Sequence, residues 1–252
     1  MQAKPAKRTS KSASIYITVA SLLIIALTIS GLSVFLKAYR FEVTGNRIYT
    51  KEMIVSASGI STGKHSIFTD KKSMAASILS ALPYISEVTI ELKLPDMVRI
   101  NVTESAAIAV IVQPEYALVL DSNGRILEKE ETVPGSLIEV RGFIPSEVQA
   151  GSVMKPSAGD ERRLQQLVEA LKAIEEENAE KEVKYIDVTN LAHFMIGFGP
   201  RFTADFGVAD NIRYKLTRLP GIIKDLEVSI PEYETGIINM SEREPWRWVP
   251  DR

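Results

Sequence analysis

The stretch EVTIELKLPDMVRINVTES (Glu87–Ser105) is the clearest hairpin in the chain. Val88, Ile90 and Leu92 alternate with Glu87, Thr89, Glu91 and Lys93. Beyond a Pro95-Asp96 turn, Val98, Ile100 and Val102 alternate with Arg99, Asn101 and Thr103. Period-two patterning gives two strands with one buried and one wet face, so other elements must cover that face.

Those elements lie upstream. FEVTGN (Phe41–Asn46) reads as a strand stopped by a Gly-Asn turn. Thr50 is an N-cap for a short helix KEMIVSAS, with Gly59 as its stop. After the loop STGKHSIF, a second helix follows Thr69 or Asp70, with Met74, Ile78 and Leu82 on one face and Pro83 at its end. The result is a small strand-helix-helix-strand-strand domain over residues 39–105.

Downstream, over 106–241, the sequence predicts a mixed β-sheet domain with two packed helices; the fold class is α+β. AAIAVIVQ, YALVLD and RILE are strand-like, the last two joined through Asp121-Ser122-Asn123-Gly124, a strong hairpin signal. SLIEVRGF, VKYIDVTN, HFMIGFG, FTADFG and TGIINMS (Thr235–Ser241) add strands. Asp160–Asn178 is an amphipathic helix, and a second runs from about Asp210 to Leu226, kinked or restarted at Pro220-Gly221. Residues 242–252 read as an irregular tail.

Before all of this, residues 12–36 contain no charge. The apolar centre, 15–36, would make a helix of about 33 Å, enough to cross a bilayer core of about 30 Å. The basic tail 1–14 carries Lys4, Lys7, Arg8 and Lys11, against Lys37 and Arg40 after the run. That bias predicts a single-pass anchor, amino terminus in, with the large domain outside. A cleaved signal peptide or a buried core helix are the alternatives; the run exceeds a signal core and lacks an Ala-x-Ala site. Past residue 40 the chain holds 24 basic and 32 acidic residues, about 8 units negative, which disfavours nucleic acid as a partner. No cysteine is present, so disulfides and thiolate-bound zinc are excluded.

No catalytic constellation emerges. His65 and His193 lie in different domains, without a second ligand beside either. Asp121–Gly124 resembles the start of a calcium loop, but Thr132 stands where a bidentate glutamate is needed. Gly197-Phe198-Gly199 lacks the third glycine of a dinucleotide site. Glu104, Asp187 and Asp205 cannot be paired from sequence. Neither a cofactor nor a small-molecule substrate is expected, and an exported hydrolase would need acid-base pairs that the residues do not display.

Surface for other proteins remains. A sheet edge accepts an added strand through its unpaired main-chain groups. Thr235–Ser241, as last strand, is the candidate edge: Thr235, Gly236, Ile237, Ile238, Asn239, Met240 and Ser241, with Tyr233 before it and Trp246 and Trp248 as aromatic anchors after it. The alternative is an interior strand already paired on both sides.

A basic tail, one span, then Val43-Thr44-Gly45-Asn46 opening such a unit resembles the FtsQ/DivIB family of bacterial cell-division proteins. Pro83, Val88, Pro95, Ile100, Val102 and Glu104 fall as in that family, YALVLDSNGRIL fits Tyr-x-Leu-x-Asp-x-x-Gly, and Ile186–Asn190 resembles a segment of the family's β domain. The resemblance covers about 1–241; Lys93–Met97 departs from the family phrase. It implies that 39–105 is a polypeptide-transport-associated (POTRA) domain, and that the protein is a non-enzymatic divisome scaffold at the septal cell membrane. The implied partners are of the FtsB/DivIC and FtsL type, bound by strand addition at the C-terminal edge of the β domain. The competing reading is a POTRA-type accessory protein in polypeptide export or envelope assembly.

Overall fold

The computed structural model describes residues 11–35, 40–60, 70–93, 97–132, 135–241 and 246–251. Loop 61–69 with His65, and the Pro95-Asp96 turn, lie outside the described residues. Helix α1 (Lys11–Phe35) has 25 residues, about 37 Å of helix. Its described side chains, 15–31, are all exposed. Ser21 and Thr28 each donate a hydroxyl hydrogen bond one turn back, to the carbonyls of Ile17 (2.8 Å) and Ile24 (2.6 Å). Among the described residues, no helix is long and apolar enough to cross a membrane.

The chain divides into two compact units, one of residues 1–78 and 88–102, the other of 79–87 and 103–252. In the first, β1 (Arg40–Thr44), α2 (Lys51–Ala57), α3 (Lys71–Ala81), β2 (Ile85–Lys93) and β3 (Met97–Glu104) follow the expected order. The three strands form one sheet in the order β1-β3-β2, with β1 parallel to β3. Thr50 caps α2 by accepting from the Met53 amide, and Gly59 takes φ +70 just past the helix end. Ile54, Met74 and Ile78 from the helices and Ile90, Val98, Ile100 and Val102 from the strands are buried, the alternation that the sequence carries.

The second unit is built on a nine-stranded sheet in the order β12-β11-β10-β9-β8-β7-β4-β5-β6. Its strands are β4 (Ala109–Val112), β5 (Ala117–Leu120), β6 (Ile126–Glu130), β7 (Ile138–Arg141), β8 (Val183–Asp187), β9 (Met195–Phe198), β10 (Phe202–Asp205), β11 (Gly236–Asn239) and β12 (Arg247–Pro250). Helix α4 (Glu161–Glu176) carries the chain between parallel neighbours β7 and β8, and α5 (Ile212–Ser229) between parallel neighbours β10 and β11. Leu167, Leu171 and Ile174 of α4 and Leu216, Leu219 and Ile223 of α5 share one core with the sheet. The row Val140, Ile186, Ile196, Ala204, Ile238 and Trp248 runs in register through six strands toward that core.

Two expectations are corrected and one is met. Helix α5 continues through Pro220 rather than restarting there, with Pro220 on its exposed side. The 121–124 turn joins β5 and β6 as an antiparallel hairpin, as expected; within it only Gly124 has positive φ (+72), and a register shift lies between Val119 and Leu120. There Asp121 Oδ1 accepts from the amides of Asn123 and Arg125 at 2.9 and 2.8 Å, a side-chain-stabilised turn. Finally, the chain after 241 is not all irregular, because 247–250 form β12.

Candidate partner-binding edge

Strand β11 is short and apolar, and the chain reaches it parallel to β10 after α5. It then turns back. Asn239 Oδ1 accepts from the Ser241 amide at 3.0 Å and from its hydroxyl at 2.7 Å, fixing the end of the strand. After 242–245, outside the described residues, β12 lies antiparallel on β11, pairing Ile237 with Val249 and Ile238 with Trp248. Thr235–Ser241 is therefore an interior segment flanked by β10 and β12, and the edge is β12. The reason is local. Trp246-Arg247-Trp248-Val249 sets aromatic residues at alternate positions and adds a β-branched one, which favours a strand, while Gly236 leaves room for the return. A Cβ at 236 would collide with the Val249 carbonyl and the Trp248 ring. The Trp248 ring meets Phe202 edge-on, centroids 5.7 Å apart. At the far end the Asp251 amide donates to the Thr235 carbonyl at 2.9 Å, and the Thr235 hydroxyl to Asp251 Oδ2 at 2.7 Å.

Of the residues expected to meet a partner, Gly236, Ile238 and Met240 are buried in the protein's own sheet, with Ile238 at 0% exposure. These three positions face the protein's own sheet and core. Ile237 and Asn239 are half-buried on the face away from the helices, and Thr235 and Ser241 are exposed. Tyr233, in the turn between α5 and β11, is 87% exposed. Trp246 and Trp248 are half-buried and pack against the core. Arg247 and Val249, not foreseen, stand exposed on the outer strand, Val249 at 50%. The period-two spacing of Trp246 and Trp248 was the signal that could have marked them.

Main-chain alternation sets what β12 presents. Because Asp251 donates inward to Thr235 and Val249 pairs with Ile237, the odd-numbered residues face β11 and the even-numbered ones, 246, 248 and 250, point their backbone groups outward. Among the described residues nothing pairs with that outer side. The opposite edge of the sheet differs. There the Ile126 amide donates to Ser152 O (2.9 Å) and the Gly151 amide to Ile126 O (2.7 Å), so the chain covers part of β6 itself, and Glu128, Lys129 and Glu130 charge the rest.

His193 lies in a turn before β9 rather than in a strand. Its Nδ1 is 2.8 Å from Asp205 Oδ2, and Asp205 Oδ1 accepts from the Gly207 amide at 2.8 Å. The carboxylate thus ties the end of β10 to the turn beside it. No group of three or more metal-ligating side chains is present among the described residues.

The family description "POTRA domain, FtsQ-type" matches residues 36–105. Over 239 residues the chain is 29% identical to the cell division protein DivIB of Clostridium botulinum (strain Hall), covering 94% of this chain and 90% of that protein. DivIB of Geobacillus kaustophilus is 37% identical over 91 residues, 36% of this chain and 34% of that one. A solved structure described as the major extracytoplasmic domain of DivIB from Geobacillus stearothermophilus aligns at 17% identity and TM-score 0.30, covering 51% of this chain and 99% of that one.

Proposed function

We propose that this chain works in cell division as a member of the FtsQ/DivIB family, and that it is a non-enzymatic scaffold that captures a membrane-anchored partner by strand addition along β12. The outer side of β12, on which no described strand pairs, carries this reading. It also moves the docking strand from Thr235–Ser241, which is paired on both sides, to 246–250. A strand laid there would meet Arg247 and Val249 rather than the buried Ile238. Partners of the FtsB/DivIC and FtsL type suit the site, because an extended segment beside a coiled coil can supply such a strand. The negative balance beyond residue 40 favours protein over nucleic acid as the ligand.

The span is taken from the sequence rather than from the described helices: we propose that residues 15–36 cross the membrane once, amino terminus in the cytoplasm, with the rest outside the membrane at the division septum. The charge-free run 12–36 and the basic residues before it support this topology. Residues 39–105 act as the POTRA domain and 106–241 as the β domain, whose sheet the last residues complete. The test places a photoreactive residue at Val249 in dividing cells, with Glu130 on the β6 edge as control. Cross-linking to a coiled-coil division protein from 249 and not from 130 is expected. Equal products from both positions, or none from 249, would reject docking on β12.

A further inference from the structure

The outward positions of β12 are Trp246, Trp248 and Pro250. The first two can each offer an amide and a carbonyl. Pro250 has no amide hydrogen, so the edge ends in an acceptor without its donor. An antiparallel strand can exchange bonds in both directions with 246 and 248. Opposite 250 it can donate to the Pro250 carbonyl, but its own carbonyl faces the pyrrolidine ring.

The same geometry bears on a second copy of this chain. Two β12 strands joined about a twofold axis at Trp248 would set Trp246 against Pro250 on both sides of the axis, and each of those pairs would lack a bond. Pro250 is exposed and lies within the strand rather than past its end. The β6 edge uses other protection, its own 151–154 segment and charge; on β12 the proline stands in for both.

We propose that Pro250 ends the ladder that β12 offers a docked partner strand, fixing its register on Trp246 and Trp248, and that the missing donor keeps two copies of this chain from joining edge to edge. The proposal rests on β12 being the docking strand. It is tested with the full-length chain in detergent, without partner, by sedimentation of the wild type and Pro250→Ala. Recovery of a bond at each of two symmetric positions should tighten self-association by about tenfold or more. Because the chain has no cysteine, Arg247→Cys with Val249→Cys reports edge pairing directly. A disulfide-linked dimer should form in the Pro250→Ala background and not with proline in place. Unchanged sedimentation, or equal disulfide yield in both backgrounds, would overturn the role of Pro250. Photo-cross-linking at Val249 reads the docking claim separately, so either can fall while the other stands.

Discussion

Ile238 and Gly236 are neighbours on β11 with opposite tasks. Ile238 fills the core row between Ala204 and Trp248 at 0% exposure. Ile238→Ala should cost about 2–5 kcal/mol, read as a lower urea midpoint. A loss within about 0.5 kcal/mol would mean that the row is not core. Ile238→Pro should unfold the sheet rather than act on partner binding alone, since the residue is paired on both sides. Gly236→Val would instead force β12 away, exposing Trp248; a red-shifted tryptophan emission in a chain with unchanged helix content is expected, and an unshifted spectrum would contradict the close packing. Glu139 on β7 gives a pH test. Two hydrogen bonds from Arg141, at 3.0 and 2.8 Å, hold its carboxyl below the ordinary 4.5. A folded-state pKa that is lowered contributes stability above the unfolded pKa, and that contribution disappears as pH falls through the folded one. Both side chains are over 40% exposed, so the effect is small, under about 1 kcal/mol. Glu139→Gln should lower stability slightly at pH 7 and not at pH 2; equal loss at both would point to packing instead.

Among the elements, α5 holds a proline within an 18-residue helix. The hydrogen bond lost at Pro220 suggests that Pro220→Ala raises stability by about 1–3 kcal/mol, measured as an increased urea midpoint. A lowered midpoint would show that the helix needs a bend there. How far the elements could be read from the sequence follows the same physics. β2, β3, α2 and α3 were legible because alternation, an N-cap at Thr50 and a stop at Gly59 all mark one structure. α4 was legible from its apolar stripe. What periodicity cannot supply is who lies beside whom. TGIINMS reads as a strand at an edge or in the middle alike, and the answer depended on the four residues Trp246–Val249 further along. Those residues alternate, but Pro245 and Pro250 flank them, and proline demotes a short run to loop when read locally. The fold class and element order were therefore visible, while the identity of the edge was not.

On the scale of the molecule, a nine-stranded sheet has two ends to protect. Its β6 end is covered by main-chain bonds from 151–154 and by charge, whereas among the described residues its β12 end carries only Pro250 as guard. The proposed capture of a partner strand on β12 rests on that asymmetry. It also separates fold from function: the core row anchors β12, and the amides on its far side remain to be used. The most direct measurement is residue-resolved amide hydrogen exchange on the full-length chain, alone and with a co-purified FtsB/DivIC-type partner. The Trp248 amide should exchange fast in the free chain and slow by at least about tenfold on binding, while the inward-facing Val249 amide is slow in both. A Trp248 amide already protected in the free chain, or unchanged by the partner, would contradict capture by this edge.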